Sequence, residues 1–203
     1  MRTKFINLLE EQPIQNFGNQ NTKINIHIPI RGRMLDYCII LNNEIAKLTK
    51  SGIDFSPSSF QIPHITLEMG FIRNSFDFQK TMEVVYDFGQ GLSGFEISPT
   101  LPYLKEPKKN YAFIDTEQTQ HIISIKQQLK LKLNKFIEPL NWDLSKETPH
   151  ITVAYLKTNF NLIATLFKDY RLGPSFYADA IEVSFGGPWG SCIGTIRTFE
   201  FGS

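Results

Sequence analysis

Two short segments of this chain carry side chains suited to moving protons around a phosphate. They are Pro63-His64-Ile65-Thr66-Leu67 and Pro149-His150-Ile151-Thr152-Val153, identical at four consecutive positions and apolar at the fifth. On a strand, residues two apart project from the same face, so His64 and Thr66 point one way while Ile65 and Leu67 point the other. His150 with Thr152, and Ile151 with Val153, repeat the arrangement. Each segment therefore offers an imidazole and a hydroxyl to one surface and anchors itself in a core with the opposite face. Pro63 and Pro149 suit strand starts, where no ladder donor is needed. If the two segments converge on one cleft, one imidazole can take a proton from an attacking hydroxyl or water while the other gives one to a leaving oxygen. Ordinary imidazoles titrate near pH ~6.5, which suits both tasks. The threonine hydroxyls would hold non-bridging oxygens and stabilise charge that gathers in the transition state. Phosphoryl transfer by such a set needs no metal. With four histidines and no acidic cluster around either segment, obvious metal ligands are few.

The elements that must position these groups follow from hydrophobic periodicity. Ile24, Ile26 and Ile28 alternate with Asn25 and His27 in a first strand that ends at Pro29. Met34, Cys38, Leu41, Ile45 and Leu48 form one apolar stripe on a helix from about Arg33 to Lys50. A Ser/Pro-rich loop, Ser51 to Ser59, leads to the strand that opens with His64. Residues Phe76 to Phe88 read as a helix closed by Gly89 and Gly91. Phe95–Ser98 and Tyr111–Asp115 read as strands. Thr119 to Glu138, with Ile122, Ile125, Leu129, Leu133 and Phe136 at helical spacing, is a second long helix. The strand opening with His150 comes next, then a helix from about Asn161 to Tyr170. The runs Tyr177–Phe185 and Cys192–Phe201, joined by a Gly/Pro-rich turn, end the chain. Helices this regularly interspersed exclude an all-β sandwich and imply an α+β fold. The two halves resemble each other, since in both an amphipathic helix leads through a loop to Pro-His-Ile-Thr.

Composition bounds the function classes. At 203 residues, 41% hydrophobic and 20% charged, the chain can bury a core without disulfide or metal staples. A net charge of +1 from 21 basic and 20 acidic residues removes the broad positive field of a protein that coats long nucleic acids. Cys38 and Cys192 lie outside any C-x-x-C spacing and read as small buried hydrophobes, which fits a reducing cytoplasm. No stretch is long and apolar enough to span a bilayer, and no secretory signal is evident.

The paired motifs resemble the 2H phosphoesterase superfamily, the group of RNA 2',3'-cyclic phosphodiesterases and 2'-5' RNA ligase-like proteins. Its hallmark of two H-x-T/S segments, each followed by an apolar residue, is matched by His64-Ile65-Thr66-Leu67 and His150-Ile151-Thr152-Val153. The resemblance implies a bilobal α+β fold with two pseudo-symmetric antiparallel sheets, helices outside and a central cleft. It spans residues 23–203 and leaves 1–22 as an N-terminal extension. It implies His64 and His150 as the acid/base pair and Thr66 and Thr152 as phosphate holders, with His64 donating and His150 accepting when a cyclic phosphate is hydrolysed. No cofactor is implied. The substrate would be a nucleotide, an oligonucleotide or an RNA end, and the dispersed basic residues favour a small nucleotide or short oligonucleotide over a long RNA. Breakdown of cyclic or 2'-5' oligonucleotide signals, and nucleotide or RNA binding without catalysis, are the alternatives. No membrane and no obligate protein partner are expected.

Other residues have bland and functional readings side by side. Trp189, in its turn, and Tyr103 either stack on a nucleobase or pack within their loops. Glu68 shares the strand parity of His64 and Thr66 and reads either as a rim residue or as simply exposed. His27 has a face that either enters the cleft or meets solvent, with the solvated reading favoured, and His121 is expected at the surface. Arg31 and Arg33 either meet a phosphate or form a solvated pair before a helix, the second being favoured, and Lys105, Lys108 and Lys109 read as a surface loop that could steer an anion.

Overall fold

The computed structural model describes residues 22–105, 110–140 and 148–202. The chain begins there with β1 (Thr22–Pro29), α1 (Gly32–Leu48), β2 (Gln61–Ile62), β3 (His64–Ile72) and α2 (Ser75–Gln90). It continues with β4 (Phe95–Ile97), β5 (Tyr103–Leu104), β6 (Tyr111–Asp115), α3 (Thr119–Leu133) and β7 (Glu138–Pro139). The last elements are β8 (His150–Tyr155), α4 (Phe160–Lys168), β9 (Phe176–Ala178), β10 (Ala180–Gly186), a 3-10 turn at Pro188–Gly190 and β11 (Cys192–Glu200). The expected extension falls outside the described residues, except that Thr22 already opens β1.

The strands form one large antiparallel sheet in the order β2-β11-β10-β1-β3-β8-β6-β5, with β7 also on β3, while β4 and β9 make a small sheet of their own. The α+β class with its antiparallel strands is as expected. The two halves join along a narrow seam, where β3 and β8 pair through Ile65 and Ile151. Both isoleucines are fully buried. They belong to a single core cluster that also takes Met34 and Ile45 from α1, Phe78 and Val85 from α2, Ile122 and Leu129 from α3, and Ile163 from α4. The four helices of the described residues thus lie against the apolar face of the sheet. Burying one such side chain contributes roughly 1.5–3 kcal/mol, so the seam is held by packing beneath it more than by its ladder bonds.

Two details differ from the periodicity. The third helix stops at Leu133, because Glu138 and Pro139 pair with Phe71 and Gly70 of β3. Leu48, at the end of the α1 stripe, is partly exposed. The helix is fastened instead by buried Asn42. Its amide donates to the carbonyls of Ile53 and Val153 and accepts from the Phe55 amide, which ties α1 directly to the strand behind His150 and Thr152.

Candidate active site

The pairing of Ile65 with Ile151 fixes what stands on the other face of the sheet. Continuing that antiparallel register one residue either way sets His64 against Thr152 and Thr66 against His150. With both isoleucines turned into the core, all four polar side chains point to the opposite side. The two imidazoles are diagonal neighbours, for which strand geometry gives about 7–8 Å between positions, room for a phosphate between them. The structure thus brings together the two segments that lie far apart in sequence.

The backbone around each motif repeats as well. Across β1, His27 pairs with Thr66 while Ile26 pairs with Glu68, so Leu67 is an extra residue on β3. Across β6, Phe113 pairs with Thr152 while Ala112 pairs with Ala154, so Val153 is an extra residue on β8. The apolar residue that follows each threonine is therefore a β-bulge, a device that re-aims side chains beside active sites. One consequence overturns the reading of Glu68. Past the bulge it pairs with core Ile26 rather than sharing the face of His64, and it lies buried beside Lys130 and Leu133 of α3.

Each histidine is oriented by its own backbone. His64 Nδ1 lies 2.8 Å from the carbonyl of Ile62, and His150 Nδ1 lies 2.7 Å from that of Thr148. A carbonyl only accepts, so Nδ1 carries the hydrogen in both rings and Nε2 holds the lone pair of the neutral form. Asn25 Nδ2 donates to His64 Nε2 at 3.2 Å and to Thr66 Oγ1 at 3.3 Å, linking the two polar groups of the first motif. The Cys192 sulfur sits 3.4 Å from His64 Nε2 and 3.5 Å from His27 Nδ1.

Burial drives both imidazoles away from the ordinary value expected of them. His64 is pushed down to about 3 by burial first, then by the neighbouring His27 and His150, against the backbone of Ile62 and Gly190, which raise it. His150 is pushed down to about 4, again chiefly by burial, with the Thr148 carbonyl opposing and the ammonium groups of Lys126 and Lys105 adding to the depression. Its ring stacks on Phe113 at 3.8 Å between centroids and an interplanar angle of 20°. Both rings are neutral proton acceptors at neutral pH in the ligand-free cleft.

The remaining candidates fall around this centre. Tyr103 pairs with Phe113, and its hydroxyl donates to Asp115 at 2.9 Å, next to His150 in the ladder. Trp189 stacks on Tyr155 at 5.1 Å and 14°. A Cβ added to Gly52 would come within 2.9 Å of its ring, so the glycine is what lets the indole lie there. Trp189 has φ 53°, in the left-handed region that non-glycine residues rarely adopt. Lys105 is exposed, whereas Lys108 and Lys109 lie outside the described residues. Arg31 is not a merely solvated residue, since it is paired with Asp179 at 2.9 Å and Glu182 at 3.4 Å. His121 is exposed and meets the edge of Phe95.

Sequence reading missed His27, Glu182, Cys192, Asn25 and Lys126. Of the two readings of His27, the favoured solvated one fails, since the residue is fully buried on a central strand whose second face is covered by the cleft's own side chains. The alternation of Asn25 and His27 on a strand otherwise made of isoleucines was the available signal. Among the described residues, no three His, Cys, Asp or Glu side chains gather as ligands for a metal ion. No described helix is long and apolar enough to cross a membrane.

No protein-family model matches the chain, and no curated protein matches it either. Solved structures do. TT0787 of Thermus thermophilus matches with a TM-score of 0.65 at 13% identity, over 88% of this chain and 97% of that one. LigT of E. coli, complexed with ATP, matches with a TM-score of 0.58 at 12% identity, over 91% of this chain and 100% of that one. Usb1 of Kluyveromyces marxianus matches at 0.53 and 8% identity, over 89% and 99%. The fold is that of the 2H phosphoesterases. At these identities the 2H likeness is one of architecture, and it extends over nearly the full length of each neighbour.

Proposed function

We propose that this protein is a phosphodiesterase that opens a nucleotide or RNA phosphodiester, a 2',3'-cyclic phosphate or a 2'-5' linkage, by acid–base catalysis between His64 and His150. The observation that carries the reading is the Ile65–Ile151 pair, which sets two imidazole–hydroxyl pairs on one face in two-fold relation. In hydrolysis, one Nε2 takes a proton from water as its oxygen bonds to phosphorus, the bond from phosphorus to a ribose oxygen breaks, and the other imidazole protonates that oxygen. Thr66 and Thr152 hydrogen-bond the non-bridging oxygens and hold them as negative charge builds. No metal enters this scheme.

Free, both rings are neutral, yet the scheme needs one proton donor. A phosphate anion seated between them supplies the missing stabilisation, since an opposite charge within a few ångströms favours the imidazolium. Substrate binding therefore brings a proton in with it and assembles the acid/base pair on arrival. Tyr103 on Asp115, Phe113 on His150 and Trp189 on Tyr155 are aromatic groups carried by or against β8 and its neighbours, and such faces suit a base. Solved LigT structures that hold ATP and 3'-AMP support a nucleotide as the occupant of such a cleft.

The test is turnover by the wild-type protein across 2',3'-cyclic mononucleotides, 2'-5' oligonucleotides and cyclic dinucleotides, with and without chelator. Turnover of at least one class, unaltered by EDTA, is the expected result. Binding without turnover of any of them overturns the reading.

A further inference from the structure

The two-fold relation between the motifs is broken at one place, and the break lies against His64. His27 pairs with Thr66 and sits 4.9 Å from the His64 ring, centroid to centroid. The equivalent neighbour of His150 is Phe113. The first half thus carries a third imidazole where the second half carries a benzene ring. His27 is fully buried, and polar partners stand at contact distance from its nitrogens, although Nε2 makes no hydrogen bond.

Those partners form a line into the cleft. His27 Nε2 faces Glu182 Oε2 at 3.6 Å, and His27 Nδ1 faces the Cys192 sulfur at 3.5 Å, which in turn contacts His64 Nε2. Glu182 is held by Thr195 at 3.1 Å, Thr198 at 3.2 Å and Arg31 at 3.4 Å. Burial alone would raise the Glu182 carboxyl, but His27, Thr195 and Arg31 outweigh it and bring it down to about 2, so it is a carboxylate throughout the working range. Cys192 is fully buried and its thiol is raised well above its usual range, chiefly by burial, so it stays S–H. The Cys192 sulfur lies within hydrogen-bond reach of both rings and so joins them, with the direction of each contact set by the tautomers. The line ends at the Glu182 carboxylate, 3.6 Å from His27 Nε2, an ion-pair distance rather than a hydrogen bond.

We propose that His27 is a positioning residue for His64, clamped by Glu182 and joined through Cys192, that holds the His64 ring and governs the proton on it. The inference rests on the reading of His64 as a proton-transfer group. The charged and titratable groups around His27 are His64 from β3, Glu182 from β10 and Cys192 from β11. Arg31 stands behind Glu182, Lys23 on the same strand acts near Cys192, and His150 lies beyond His64. Of these, His27 is the neighbour that distinguishes His64 from His150 in kind.

The experiment is a long-range 1H–15N titration of the imidazoles in the wild type, His27→Gln and His27→Phe. Glutamine can still donate a hydrogen bond, and phenylalanine copies the residue of the second half. Loss of His27 should move the His64 midpoint upward by about half a pH unit or more and leave His150 in place. In turnover, only the limb of the pH profile that belongs to His64 should move, with KM within about twofold of wild type. A His64 midpoint unmoved in both folded variants would mean that His27 merely packs, and would overturn the inference. If circular dichroism shows either variant unfolded, the milder His27→Asn is titrated in its place, and an unmoved His64 midpoint there overturns the inference. The titration needs no turnover. An inactive protein with a responsive His64 defeats the phosphodiesterase reading alone, and an active one with an indifferent His64 defeats this inference alone.

Discussion

His27 and Phe113 occupy equivalent places about the Ile65–Ile151 pair, one against each motif histidine. His27 pairs with Thr66 and leans on His64, and Phe113 pairs with Thr152 and stacks on His150. The ladder treats the halves alike while the chemistry around each imidazole differs. A chain of polar contacts backs the first ring, and an apolar face covers the second.

If the diagonal imidazoles transfer protons, neither is dispensable. His64→Ala and His150→Ala should each lower kcat by about 10²–10⁴-fold. Nucleotide affinity, followed by calorimetry, should change far less, because the threonines and the cleft walls remain. Equal losses of binding and turnover would speak against acid–base roles.

The hydroxyls should act on the transition state. Thr66→Val and Thr152→Val keep the β-branched shape and remove one donor each, and kcat should fall by about 10²–10³-fold with the fold intact. Steady-state kinetics alongside thermal melting separates that loss from instability.

Acid should destabilise the protein in a defined window. Folded values of about 3 for His64 and about 4 for His150 lie below the 6.5 of a free imidazole, so below about pH 6.5 the unfolded chain takes up protons that the folded one refuses. Stability is therefore full above that pH, drains as the pH falls from there towards the folded values, and levels off below them. Unfolding free energies from urea melts at about pH 7 and about pH 5 should differ by roughly 1–2 kcal/mol for each histidine. His64→Gln combined with His150→Gln should flatten the difference. Conversely, a phosphate ligand that raises either ring should bind more tightly as the pH is lowered, which calorimetry in buffers of different ionisation enthalpy reads as proton uptake.

The seam should be sensitive to volume. Ile65→Ala or Ile151→Ala removes a fully buried side chain at the joint and should cost about 2–5 kcal/mol in the folded state, seen in denaturant unfolding. Ile→Val at either place should cost about 0.5–1.5 kcal/mol and leave turnover close to wild type.

Much of this was legible before any coordinates. Strand parity at His-Ile-Thr put the imidazole and hydroxyl on one face and the isoleucine in the core, because a period of two is a strong local rule. The helix stripes through Met34–Ile45 and Ile122–Leu133 were equally direct. What parity could not see were the bulges at Leu67 and Val153, which reverse the facing of everything beyond them. For that reason Glu68 was assigned to the wrong side. His27 was misjudged for a different reason. Whether a strand is central or at an edge depends on which strands pair with it, and β10, which covers its other flank, arrives more than a hundred residues later. The depressed imidazoles have the same origin, since burial is a property of the assembled cleft.

The diagonal seating of the two rings has a stereochemical consequence. Imidazoles on opposite flanks of one phosphate favour entry and departure of oxygen along a single line, and one such displacement turns the phosphorus centre inside out. A chiral thiophosphate substrate opened in isotopically labelled water should emerge with inverted configuration, whereas passage through a phosphorylated side chain would hand it back unchanged.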